Sequence, residues 1–298
     1  MKSEVIIGTD LQEASNNCIE VGLSWAHFLK ALPVVMHVHP SNLNESAAFL
    51  VDDKLESQFR ALSQKIEDEL QEKLEKQIIP FVKESQRIKT KIRFGDRAKA
   101  FVHRSVEKES KLIVLGWDDD LTKEKIWMAS TIDRVIRASY SPVLVVKENK
   151  AKAPSNILFP FLLNMEFVDT LPWLKILAEN FNSKITLLHL TKQSIKAKSY
   201  EGVELLEYLY PSNEDELDYL KNFVKDIKRL GGSIEFKILE RDGAEDKQIL
   251  NEIKSNKPDL TVLASRGKKG IERLYLGSIT EAVLKLTESS VFVAKLIR

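Results

Sequence analysis

The chain of 298 residues has a single cysteine, Cys18, so no intrachain disulfide can staple it. No apolar run reaches the length needed to span a bilayer, and the start, Met1-Lys-Ser-Glu, leads into a strand without a signal-peptide pattern. Net charge is also lacking: 45 basic residues face 44 acidic ones, interspersed along the chain, which argues against a general nucleic-acid or anionic-membrane binder. No Ser-His-Asp or Cys-His constellation can be assembled around the five histidines. From these absences the expectation is a cytoplasmic protein of about two ordinary domains, with 43% hydrophobic residues to fill their cores.

What is present is a duplication. Val5 to Asp10 can be laid on Ile157 to Leu162, and Val35 to Val38 on Leu187 to Leu190, both at an offset of 152. Gly95 pairs with Gly243, Leu112 to Leu115 with Leu260 to Leu263, and Val143 to Lys147 with Val291 to Lys295, all at 148. The expected domains are residues 1–149 and 155–298, joined by a Lys-, Ala- and Pro-containing linker from Glu148 to Ser155.

Within the first copy, strands are expected at Val5 to Thr9, Pro33 to His39, Ile88 to Phe94, Lys111 to Leu115 and Pro142 to Val146, with helices between them. Leu55, Phe59, Leu62, Ile66, Leu70 and Leu74 mark one face of a long helix that Pro80 ends or kinks. The second copy repeats the order, with Ser212 and Asp215 read as a capping box before another long helix and Gly231 as its stop. Alternating strands and helices predict an α/β fold: two tandem doubly wound domains, each a five-stranded parallel sheet with helices on both faces. With strand order 3-2-1-4-5, a ligand belongs at the carboxyl ends of strands one and four, where the order reverses.

The stretch after the fourth strand of the second copy, Ala264-x2-Gly267-x9-Gly277-Ser278, has the form of strand, glycine loop and helix N-terminus. Such a junction offers unpaired N–H groups to a phosphate. The corresponding stretch of the first copy reads Gly116-x2-Asp119-x9-Ala129-Ser130 and carries Asp118, Asp119 and Asp120, whose charges oppose a phosphate. Those carboxylates and Asp10 suggest a divalent-cation site, although a solvated acidic loop is the favoured reading. His37 and His189, at matching strand positions, are expected to be buried and hydrogen-bonded, and Cys18 to be packed.

The duplicated five-strand domain, the glycine motif, Asp10 at the end of strand one, His37-Val38 at the end of strand two and the closing Val-Leu-Val-Val together resemble the universal stress protein family, here as a tandem member. That resemblance implies stress or signalling roles and ATP or AMP binding in some members. It places Ala264, Ser265, Arg266, Gly267, Gly277, Ser278 and Ile279 at the phosphate end of a C-terminal site, with or without Mg²⁺, and Phe161, Leu162 and Leu190 at its nucleoside end. No nucleotide is expected in the first copy. Leu162 stands where the family has Asp, which leaves a nucleotide-free scaffold, or a site for a small apolar ligand, as the alternative. The resemblance further implies pairing of the last strands of the two copies within the chain, and leaves homodimerisation open. Any ATP hydrolysis is expected to be slow, since no general base is visible in the second copy.

Overall fold

The computed structural model describes residues 3–41, 53–82, 87–117, 123–147, 149–195, 201–230, 232–265 and 278–295. The chain divides into two compact units, Met1–Lys152 and Ala153–Arg298.

The first unit contains β1 (Glu4–Thr9), α1 (Asn16–Phe28), β2 (Leu32–His39), α2 (Asp53–Ile78), β3 (Lys89–Phe94), α3 (Arg97–Glu107), β4 (Leu112–Gly116), α4 (Lys123–Ala138) and β5 (Val143–Val146). Its strands are parallel, in the order β3-β2-β1-β4-β5. Register pairs Ile7 with Val35 on one side and with Val114 on the other, so the apolar runs stack across the sheet centre. Val5, Ile6, Ile7, Ile113 and Val114 are fully buried, as expected of strands covered on both faces.

Two glycines record how closely the helices approach. A Cβ on Gly22 of α1 would stand 2.6 Å from Ile7 Cγ1, and one on Gly8 would stand 2.9 Å from Phe101 Cζ of α3. Adjacent strand residues face opposite sides, so Ile7 and Gly8 put α1 and α3 on opposite faces of the sheet. The segment expected to be a linker is instead held to α1: Trp25 Nε1 donates to Ala151 O at 2.7 Å and Ser24 Oγ to Lys152 O at 3.0 Å.

The second unit contains β6 (Asn156–Phe161), α5 (Met165–Phe181), β7 (Lys184–Thr191), α6 (Gly202–Leu209), α7 (Glu214–Arg229), β8 (Ser233–Glu240), α8 (Glu245–Asn256), β9 (Leu260–Ser265), α9 (Ser278–Leu286) and β10 (Ser290–Lys295). Its parallel order is β8-β7-β6-β9-β10, the same winding as the first unit. The residue preceding α7 is Asn213, without a side-chain capping bond, so the Ser212–Asp215 capping box does not form. Gly231 lies outside the described residues.

Pro160 sits in β6, a central strand, where proline cannot donate to the ladder. Registered pairing of β6 with β9 ends at Leu158, two residues earlier, while pairing with β7 continues to Phe161.

Candidate functional site

In the first unit, the carboxyl ends of β1, β2 and β4 surround a hollow at the point where the strand order reverses. Its walls include Gly8, Val38, Phe101, Leu115, Trp117 and Ile132, and its polar groups include Thr9, Asp10, Ser15, His37, Arg97 and Thr131. Gly8 lets Leu115 and Phe101 pack directly on the strand, because a Cβ there would meet Leu115 Cδ2 at 2.7 Å.

The loop carrying Asp10 is tightly held. Leu11 adopts a left-handed backbone with φ 68°, and Asp10 Oδ1 accepts from Gln12 N at 2.9 Å and from the Ser15 hydroxyl. Ser15 Oγ in turn accepts from Asp10 N at 3.2 Å. Thr9 Oγ1 donates to Gln77 Oε1 at 2.8 Å, and Gln77 Nε2 donates to Gln12 O and to Asn16 Oδ1. The last turn of α2 therefore clamps the Asp10 loop.

His37 is buried, and its Nδ1 lies 2.9 Å from Thr9 O. A carbonyl can only accept, so Nδ1 carries the proton. Burial pushes the imidazole below its ordinary pKa, the Thr9 carbonyl opposes that, and the charges of His39 and Arg97 push it further down. Burial and Arg97 lower His39 as well. Trp117 holds Lys147 Nζ over its ring at 4.5 Å from the centroid. Cys18 is buried with Sγ 3.5 Å from Gly8 O, and burial drives its thiol pKa strongly upward, which removes it as a nucleophile.

In the second unit, among the described residues, aromatic rings stand at the matching place. Phe161 and Phe167 stand, at the 152-residue offset, where the first unit has Thr9 and Ser15. Their rings stack at 4.6 Å between centroids and exclude solvent, being 6% and 1% exposed. His189, 5.2 Å from the Phe161 ring, has Nδ1 3.1 Å from Phe161 O. Its Nε2 lies 3.0 Å from the hydroxyl of Tyr210, which also lies 2.9 Å from Thr191 Oγ1. Leu162, in place of Asp10, is 48% exposed, and Leu190 is buried.

Of the expected C-terminal site residues, Ala264 and Ser265 end β9, and Ser278 and Ile279 open α9. Arg266, Gly267 and Gly277 lie outside the described residues, as do Asp118, Asp119 and Asp120 of the cation idea. Among the described residues no cluster of three or more His, Cys, Asp or Glu side chains has the arrangement of a metal site. Both histidines are buried and hydrogen-bonded as their matching positions suggested.

Sequence reasoning missed Thr9, Ser15, Gln77, Arg97 and Tyr210. Ser15 and Phe167 were open to detection by carrying the 152-residue offset five residues beyond Asp10. Gln77 and Tyr210 act across 68 and 21 residues, with no sequence signal of their own.

The shared winding defines a doubly wound parallel α/β protein built twice, with a hollow at the reversal point of the first sheet. Comparison with protein families identifies it further: the universal stress protein family matches residues 1–147 and 166–295, and the chain belongs to that family. It is 34% identical over 82 residues to a universal stress protein of Methanocaldococcus jannaschii, MJ0531, covering 28% of this chain and 47% of that one. It is 25% identical over 199 residues to the Na(+)/H(+) antiporter NhaS5 of a Synechocystis strain, covering 65% of this chain but 26% of the antiporter. The chain thus spans less than half of either relative. Among solved structures, a universal stress protein from Archaeoglobus fulgidus superposes with a TM-score of 0.64 at 18% identity, covering 98% of this chain and 96% of that one. A protein from Pseudomonas aeruginosa, described as a universal stress protein, reaches 0.58 at 16% identity, covering 99% and 93%. Both likenesses speak for the fold. No described helix is long and apolar enough to cross a membrane.

Proposed function

We propose that the protein is a ligand-binding and switching module whose first repeat takes a nucleoside-like molecule. The observation that carries this reading is the hollow at the reversal point of the first sheet, lined by Asp10, Val38 and Trp117. Among the described residues the hydrogen bonds that Asp10 accepts fall on Oδ1, and Oδ2 is the oxygen that would accept from sugar hydroxyls. The Asp10 loop is already fixed by Ser15 and Gln77, so little ordering is needed on binding. The sequence places Asp118, Asp119 and Asp120 directly after Trp117, which disfavours a phosphate and therefore favours a nucleoside over ATP.

A second reading keeps adenine nucleotide in the C-terminal repeat. It rests on the Gly267 and Gly277-Ser278 motif, and the stacked Phe161 and Phe167 weigh against a base or sugar there. A phosphate or other small anion on that loop does not require the filled part of the pocket. Calorimetry of the full chain with nucleosides and nucleotides, repeated with Asp10→Asn and Gly277→Asp, separates the readings. Weakening of binding by about tenfold or more in Asp10→Asn alone supports the first repeat, weakening in Gly277→Asp alone supports the second, and no binding by wild type at millimolar ligand refutes both.

A further inference from the structure

The two ends of the hollow differ in charge. Carboxylate Asp10 follows β1, and guanidinium Arg97 is the first residue of α3, directly after β3. Strand order is β3-β2-β1-β4, so Arg97 lies at the far end from the β4 loop, across three strand spacings of roughly 14 Å in all. A nucleoside lying along this line has its sugar at Asp10, beyond β1, and its base past Val38 toward Arg97.

Among the described residues no carboxylate neutralises Arg97. Its neighbour Asp96 accepts from Lys99 N at 2.8 Å as the helix cap and pairs with Arg134 at 2.9 Å, so that carboxylate is engaged elsewhere. Among the described residues Arg97 has no hydrogen bond or ion pair, although it is only half-exposed. The histidines nearest to it, His37 and His39, are both pushed toward the neutral form, which limits repulsion but supplies no counter-charge. The matching residue in the second repeat, Glu245, carries the opposite sign and pairs with Arg241 at 2.7 Å. An unpaired guanidinium in a partly dry wall calls for an acceptor from the ligand.

We infer that Arg97 makes the first repeat selective for 6-oxopurine nucleosides, such as inosine and guanosine, over adenosine. A guanidinium matches the paired O6 and N7 acceptors of a 6-oxopurine in bidentate fashion, whereas adenine sets its N6 donor against the same fork. The inference rests on the nucleoside reading of the hollow and deepens it.

The test is calorimetric titration of the full chain with inosine, guanosine and adenosine at one salt concentration, for wild type, Arg97→Ala and Arg97→Gln, with folding checked by circular dichroism. The expected result is that both 6-oxopurines bind wild type about tenfold or more tighter than adenosine, and that either variant brings the ratio close to one. Adenosine binding as tightly as inosine overturns the selectivity while leaving the nucleoside reading intact. A preference that survives in both variants overturns the assignment to Arg97. Absence of binding by all three nucleosides at millimolar concentration overturns the selectivity and the nucleoside reading together.

Discussion

The two repeats are wound identically but treat the same point of the fold in opposite ways. In the first, small polar residues, Thr9 and Ser15, hold a charged loop around a hollow; in the second, Phe161 and Phe167 stack in their place. His37 and His189 make the same bond to the end of the first strand of their sheets, so the backbone frame has been kept while its contents changed. An open switch point needs polar groups satisfied by short local bonds, and a filled one gains its stability from apolar burial. Pro160, at the sequence position that matches Gly8, lies beyond the registered β6–β9 pairing, as Gly8 lies beyond the registered β1–β4 pairing, so its missing N–H costs that ladder nothing.

The strongest way to break the comparison is to empty the filled site. Phe167→Ala removes a fully buried ring and is expected to cost the second unit about 3–5 kcal/mol. Ser15→Ala, at the matching position, is expected to cost the first about 1 kcal/mol. Hydrogen-exchange mass spectrometry, reading β6–β7 and β1–β2 peptides separately, checks both; equal losses would show that the two positions are not equivalent in the way described. Next comes Arg104, which pairs with Glu4 through two bonds of 2.9 and 3.0 Å, both side chains being nearly buried. Arg104→Ala leaves Glu4 uncompensated and is expected to cost about 3–5 kcal/mol. The second repeat has Asn156 and Glu252 at these positions, and Glu252 pairs with Lys237 nearer the surface. Glu252→Ala is expected to cost under about 1 kcal/mol in the same measurement.

Smaller in effect is the charge at the end of the first strand. Asp10→Asn is expected to weaken nucleoside binding by about tenfold, the scale of one hydrogen bond to a charged group. Leu162→Asp is expected to create no binding, because the stacked phenylalanines remain. Calorimetry on both variants tests this, and a gain of nucleoside affinity in Leu162→Asp would mean that the second switch point is not filled.

Much of this contrast was legible beforehand. The offsets of 152 and 148 locate four of the five strand pairs, β3 and β8 registering two residues short of the 148 offset, and Asp10 against Leu162 already signals divergence. What stayed hidden depends on distance in the chain. Phe167 reads as an ordinary core residue at the start of a helix until its neighbour is known to be Phe161. Arg97 becomes a wall of the hollow only because β3 is the outer neighbour of β2. The segment around Ala151 looks like a linker by composition, yet Trp25 needs a buried acceptor and takes its carbonyl.

The finest distinction between the repeats lies in how each histidine responds to acid. Both have pKa values lowered, chiefly by burial, so in each the native state resists a proton that the unfolded chain binds readily near pH 6.5. Stability is therefore unaffected by these groups above that range and falls as pH drops from about 6.5 toward the lowered native values. His37 has mixed company: His39 and Arg97 oppose its charging, while Asp10 favours it. His189 is 2% exposed and its ring is held between Phe161 and Tyr210, with its side-chain partner a neutral hydroxyl. Neutralising Arg97 by Arg97→Gln should raise the His37 pKa and leave His189 where it is, because Arg97 contributes to the first and not to the second. NMR titration of the imidazole signals measures the two independently. An upward shift of His37 with His189 unmoved is the expected result, and an equal shift in both histidines would contradict the separation of the two environments.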